Sequence, residues 1–267
     1  MSLAGNLRQY SPRIFTFFAR LVAIVLPQRL WYPAIFRLSR LQALILRVAI
    51  VISPYRTDRR RPILVSWLMN SWLQALSTLE RPFPIPIRVR GHDAIIRASA
   101  NPNGMAICSV HLPLKHMGLR PLADLNRSPD AVITAQRELV NGKFPVWGLG
   151  QGLPPLNSDR HVLLKVRTIL RRGGSIAALI DNGRGELFPH KLFHLIRSVK
   201  AQVVFVLAQL QPNGEILVEY FTPPDPFCKT DDSISSNLLV LKARIDRVLQ
   251  ASPDNQLIFD PAEQTNS

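Results

Sequence analysis

At 267 residues, 47% of them hydrophobic, the chain is long and apolar enough for one large α/β domain or for a domain with an appendage. Its net charge of +15 is uneven: residues 1–61 hold eleven Arg, no Lys and a single acid, Asp58, a balance of +10 that leaves only +5 for the other 206 residues. That split argues against a nucleic-acid-binding core, and the two cysteines, Cys108 and Cys228, are far apart and lack metal-ligand spacing.

The N-terminal segment is also rich in Leu, Ile, Val and Phe. Residues 14–26 are apolar except for Thr16 and Arg20, and 35–53 could cross a bilayer but carry Arg37, Arg40 and Arg47. An Arg at mid-membrane costs about 2.5–3.5 kcal/mol on insertion scales, so the segment is expected to lie on a membrane rather than span it. The three arginines recur at steps of three and seven, which predicts one basic helical face with Leu and Ile opposite, an interfacial amphipathic helix. Each basic residue near an anionic leaflet contributes about 1 kcal/mol. The alternative is a pair of ordinary packed helices whose arginines face water. No small-x-small site follows Leu26, so a cleaved signal peptide is not expected.

A basic run at 56–61 marks the expected boundary, after which 63–79 reads as an apolar helix opened by Pro62. The prolines of 81–87 break helix, and 85–89 suits an edge strand. Strands are then predicted at 105–110, 131–135, 175–180, 203–209 and 216–221. Helices are predicted around 115–125, at 159–172 with a Gly173-Gly174 exit, across 187–199 and at 233–251. Residues 139–157, rich in Gly and Pro, read as a loop, and 182–185 as a turn. Alternating strands and helices predict an α/β fold with a mixed, mostly parallel sheet flanked by helices. Strands 203–209 and 216–221 are joined too closely for a crossover and should form an antiparallel hairpin. The expected organisation is membrane-associating helices over 1–61, the α/β domain over 62–259 and a frayed tail over 260–267.

Two of the predicted strands end in titratable residues. The run 105–110 delivers His111, with His116 five positions on, and 175–180 delivers Asp181-Asn182-Gly183-Arg184. Both strand ends suggest one cleft, where an imidazole can serve as a general base. Cys108 reads as a small buried side chain. His190 and His194 have metal-pair spacing without a third ligand, and no metal is expected. Trp147–Gly152 has the glycines of a phosphate loop but not its Lys and Ser/Thr, and reads as a flexible wall of the cleft. No Gly-x-Ser-x-Gly supports a serine hydrolase.

A His after a strand with a titratable residue beyond it, the Asp181-Asn182-Gly183-Arg184 turn, the 164–174 helix and the closing 252–258 segment (SPDNQLI) occur in a particular order. In that order they resemble the lysophospholipid acyltransferase-like superfamily, nearest its bacterial lipid A lauroyl/myristoyl branch. The resemblance covers about residues 85–258. It implies a glycerolipid acyltransferase-like fold and an acyl thioester, acyl-carrier protein or CoA, as co-substrate, with no further cofactor. It implies His111 as the base and His116, which replaces the family's acid, as the residue that orients it. A neutral His can accept the imidazole N–H but supplies no negative charge. Asp181 and Arg184 fall on a substrate-binding motif, Arg137 aligns with a substrate-binding Arg, and Glu186 could bring a carboxylate to His111 from another direction.

The expected function is therefore transfer of a fatty acyl chain to a hydroxyl or amine of a membrane lipid, at the cytoplasmic face of the inner membrane and without nucleic acid. The alternative is a non-catalytic scaffold of the same fold that binds membrane lipids. A carboxylate from Glu186 or Asp181 within hydrogen-bond reach of His111 favours the enzyme, and its absence favours the scaffold.

Overall fold

The computed structural model describes residues 15–52, 65–134, 139–157, 161–181 and 190–251. Side chains 46–52, 190, 250 and 251 lie outside that description. So do the basic boundary at 56–61, the turn at 182–185, the closing segment 252–258, and Arg137, Arg184 and Glu186.

Helix α1 covers 15–25. A short 3-10 turn, Gln28–Leu30, leads into α2 (Trp31–Ile52), and α3 covers Val65–Ser77. Strand β1 (Ile87–Arg90) and helix α4 (His92–Ser99) precede β2 (Met105–Ser109). The predicted helix near 115–125 is a 3-10 turn, Lys115–Leu119, followed by α5 (Arg120–Asp124). Then come β3 (Ala131–Thr134), β4 (Phe144–Pro145), β5 (Gly152–Leu153), β6 (Pro155–Asn157), α6 (Val162–Arg171) and β7 (Ser175–Leu179). Helix α7 (His190–Val199), β8 (Gln202–Leu210), β9 (Ile216–Phe221) and α8 (Asp231–Ala251) complete the order.

Seven strands form one sheet in the order β1-β9-β8-β2-β7-β3-β6, and β4 and β5 pair separately as a small antiparallel ribbon. Every pairing in the large sheet is parallel except β8 with β9. The hairpin is antiparallel because Gln211–Glu215 is too short for a crossover: Gly214 N–H donates to Gln211 O, and Gln211 N–H to Glu215 O. The sheet is mixed and mostly parallel, flanked by helices, as the alternation of elements predicts.

One expectation changes, and one helix had no expectation. Residues 139–157 carry three short strands, and β6 extends the sheet edge beside β3. Pro155 hid that strand, but at a sheet edge a missing amide donor is tolerated. Helix α4 is an eight-residue amphipathic turn with Ala94, Ile95 and Ala98 buried, too short to stand out as a period.

Strand alternation divides the core in two. Met105 and Ile107 of β2, Ala177 of β7 and Val204 and Val206 of β8 face one layer, which includes residues of α1, α2, α3, α4 and the 3-10 segment. Ala106, Cys108, Ile176, Ala178, Val203 and Phe205 face the other, made of α6, α7 and α8. The described N-terminal helices thus share a core with the sheet. Phe15 of α1 packs edge-on against Trp72 of α3 at 5.2 Å, and Trp72 Nε1 donates to Gln42 Oε1 of α2. Tyr32 donates from its hydroxyl to Gly214 O at 2.6 Å, tying α2 to the β8–β9 turn. Gly214 (φ 87°) is required there, because a Cβ would sit 2.8 Å from the Phe36 ring.

Helix α2 divides differently from the expected pattern. Its buried stripe is Trp31, Tyr32, Ile35, Ser39 and Ala43, while Arg37 and Arg40 share the exposed side with Leu41, Leu44 and Ile45. The core takes Trp31, Tyr32 and Ile35 with small residues and leaves Leu41, Leu44 and Ile45 outside among the arginines. On α1, Phe17, Phe18, Leu21, Ile24 and Val25 are exposed as well, Ile24 at 81%. Among the described residues no helix is long and apolar enough to cross a membrane.

Candidate active site

Strands β2 and β7 are direct neighbours in register, with Ser109 opposite Leu179, so the residues just past their carboxyl ends come together. Ile180 N–H donates to Ser109 O at 2.9 Å and continues the pairing one step beyond the strands. On the other flank Ser109 donates from its hydroxyl to Val206 O of β8, fixing the end of β2. Leu112 N–H then reaches back to Val110 O at 2.7 Å, a three-residue turn centred on His111. The chain therefore stops being a strand at the residue that carries the imidazole.

Asp181 Oδ1 accepts two bonds from His111: the backbone N–H at 3.0 Å and ring Nδ1 at 2.7 Å. The carboxylate side chain is 2% exposed and the imidazole 19% exposed. One carboxylate oxygen thus fixes both the main chain and the ring. An ionised carboxylate oxygen can only accept, and with Asp181 in that state the ring carries its proton on Nδ1, and Nε2 is the nitrogen that can take one. Alternation along both strands assigns His111 and Asp181 to the layer of α1, α2 and α3.

The orienting bond that the sequence reading gave to His116 is made instead by Asp181 from the neighbouring strand. His116 rides on the 3-10 segment after i,i+3 bonds at Lys115 and Met117, and enters the protein interior. Its ring is stacked between Phe144 at 4.5 Å and Trp147 at 4.6 Å, and Nδ1 bonds to Pro145 O at 3.0 Å. Phe144 and Pro145 lie in the region read as a loop, and their part in the site was missed, while Trp147 opens the segment read as a flexible wall of the cleft. Together they clasp the segment that follows His111, so 144–147 forms a packed wall rather than a flexible one. Gly148 (φ 78°) lets that wall pass close to 81–83: Phe83 N–H donates to Gly148 O, and a Cβ would stand 2.8 Å from Phe83 O.

His116→Ala should lower stability by about 2–4 kcal/mol, since it empties a slot between two aromatic rings and removes a bond to a buried carbonyl. His116→Phe keeps the stack and should lose less. Thermal unfolding of both variants checks this, and equal melting temperatures for wild type and His116→Ala contradict it.

Other sequence candidates do not join the site. His194 accepts an N–H from Arg197 at 2.8 Å and lies 3.7 Å from Asp231, on the far layer. Among the described residues no three His, Cys, Asp or Glu side chains could hold a metal ion together. Cys108 and Cys228 are fully buried; burial pushes the Cys228 thiol up to about 11 and Cys108 further, which keeps both protonated and inert near neutral pH. No protein-family model matches the chain, and no curated protein matches it.

Proposed function

We propose that this protein is a peripheral membrane acyltransferase, moving a fatty acyl chain from a thioester of acyl-carrier protein or CoA to a hydroxyl or amine of a membrane lipid. The observation that carries the reading is the 2.7 Å contact between His111 and Asp181 just past the carboxyl ends of two central strands. It gives a partly exposed imidazole the fixed tautomer and the negative charge that a general base needs. His111 Nε2 takes the proton of the acceptor hydroxyl or amine, whose oxygen or nitrogen attacks the thioester carbonyl carbon. The C–S bond breaks, the thiolate leaves, and the proton on His111 passes to the departing sulfur. Asp181 steadies the imidazolium between those two transfers. Arg184 and Arg137 follow β7 and β3 in the chain and suit phosphate binding on the acceptor or donor, and Glu186 is a further substrate contact.

The exposed apolar and arginine side chains of α1 and α2 support placement on the cytoplasmic leaflet, with acyl chains taking the aliphatics and lipid phosphates the guanidinium groups. They belong to the layer that holds the dyad, so a lipid hydroxyl would meet the base from the same side. The scaffold reading drew on the missing carboxylate, and Asp181 supplies one.

Incubation of the purified protein with acyl thioesters and a membrane lipid extract tests the proposal. Acyl incorporation should occur and fall by about 10⁴-fold or more in His111→Ala. Incorporation that His111→Ala leaves unchanged contradicts it.

A further inference from the structure

The layer opposite the apolar helices has its own surface chemistry. Helices α6 and α7 lie side by side, bury Val166, Leu170, Phe193, Ile196 and Val199 against the sheet, and contain no Asp or Glu. Lys165, Arg167, Arg171 and Lys191 are exposed on them, with Arg172 at the end of α6. Arg197 is engaged by Asp231, whereas Arg167, Arg171, Arg172 and Lys191 have no carboxylate partner among the described residues. Helix α8, in the same layer, mixes both signs: Asp231, Asp232 and Asp246 with Lys242, Arg244 and Arg247. The basic excess outside the N-terminus is therefore concentrated on one pair of helices.

We infer that the outer face of α6 and α7 docks an acidic protein. Three observations select that occupant. The face lies across the sheet from the exposed apolar side chains of α1 and α2, so one flat bilayer cannot cover both. Ten-residue helices are about 15 Å long and convex, which suits a second protein surface better than the convergent donors of a nucleotide pocket. Leu164, 61% exposed among these bases, adds an apolar contact, and α6 and α7 expose no large aromatic side chain on which bases could stack. Each helix follows a parallel strand and so begins at the carboxyl edge, where His111 and Asp181 stand. A protein seated there can pass a tethered group over that edge. The inference rests on the acyl-transfer reading in one respect: the acidic protein is then the carrier of the thioester.

Binding of holo acyl-carrier protein to the full-length protein in lipid nanodiscs tests this. Arg167→Glu/Arg171→Glu/Lys191→Glu should weaken binding by about tenfold or more, with the loss shrinking as salt rises. Lys242→Glu/Arg247→Glu on α8 should leave affinity unchanged. Equal affinity of the triple variant and wild type overturns the inference, as does a triple variant that loses only duplex DNA binding. Patch-dependent carrier binding by a protein with no transfer activity defeats the proposed reaction and leaves the docking face standing. Transfer from both acyl-carrier protein and acyl-CoA at wild-type rates in the triple variant does the reverse.

Discussion

Asp181→Asn should lower the rate of acyl transfer by about 10⁴-fold, the scale of an amide-for-carboxylate change beside a catalytic imidazole. The side chain is 2% exposed and meets His111 twice through one oxygen. An amide can present its oxygen to the backbone N–H and to Nδ1, which keeps the geometry but removes the charge that stabilises the imidazolium. If it presents its nitrogen to Nδ1, the imidazole must hold its proton on Nε2 and cannot act as base. Either arrangement weakens the transition state more than substrate binding, so kcat should fall while KM changes little. Steady-state kinetics with a thioester donor distinguishes this from a structural defect. A variant with raised KM and wild-type kcat contradicts the assignment.

The second large effect concerns the membrane. Leu41→Asp/Leu44→Asp/Ile45→Asp should reduce binding to anionic vesicles by more than about 10²-fold, because each aliphatic contributes roughly 1.5–3 kcal/mol when buried. The introduced carboxylates also repel the leaflet. Arg37→Gln/Arg40→Gln should cost about 1 kcal/mol for each charge and lose its effect in high salt. Leu239→Asp is the control: Leu239 is as exposed, at 68%, but sits on α8 across the sheet. Vesicle sedimentation reads all three. Loss of binding in Leu239→Asp equal to that in the triple variant contradicts a membrane face on α1 and α2.

Much of this was readable before the structure because short continuous apolar runs bounded by polar residues mark strands buried on both faces. The runs at 105–110 and 175–180 alternate cleanly between two buried layers, and each delivers its polar residue just past the strand end. The hairpin at 211–215 followed from its length alone. The partner of His111 was harder, since spacing along the chain points to His116, while the true neighbour lies 70 residues away. Only the strand order, with β7 beside β2, brings Asp181 there. The sandwich of His116 was hidden for a similar reason: Phe144 and Trp147 sit in a Gly- and Pro-rich stretch whose composition says loop and says nothing of what it covers. On α2 the helical period located the arginines, but the core chose Trp31 and Ile35 over Leu41 and Leu44, a packing choice that composition does not encode.

The most direct test of the account is a double-mutant cycle between His111 and Asp181, read as acyl transfer to membrane lipid. If the carboxylate works only through the imidazole, Asp181→Asn costs about 10⁴-fold in the wild-type background and almost nothing once His111 is Ala. A full Asp181→Asn loss that persists in His111→Ala, or no loss in either background, contradicts the pairing on which the mechanism stands.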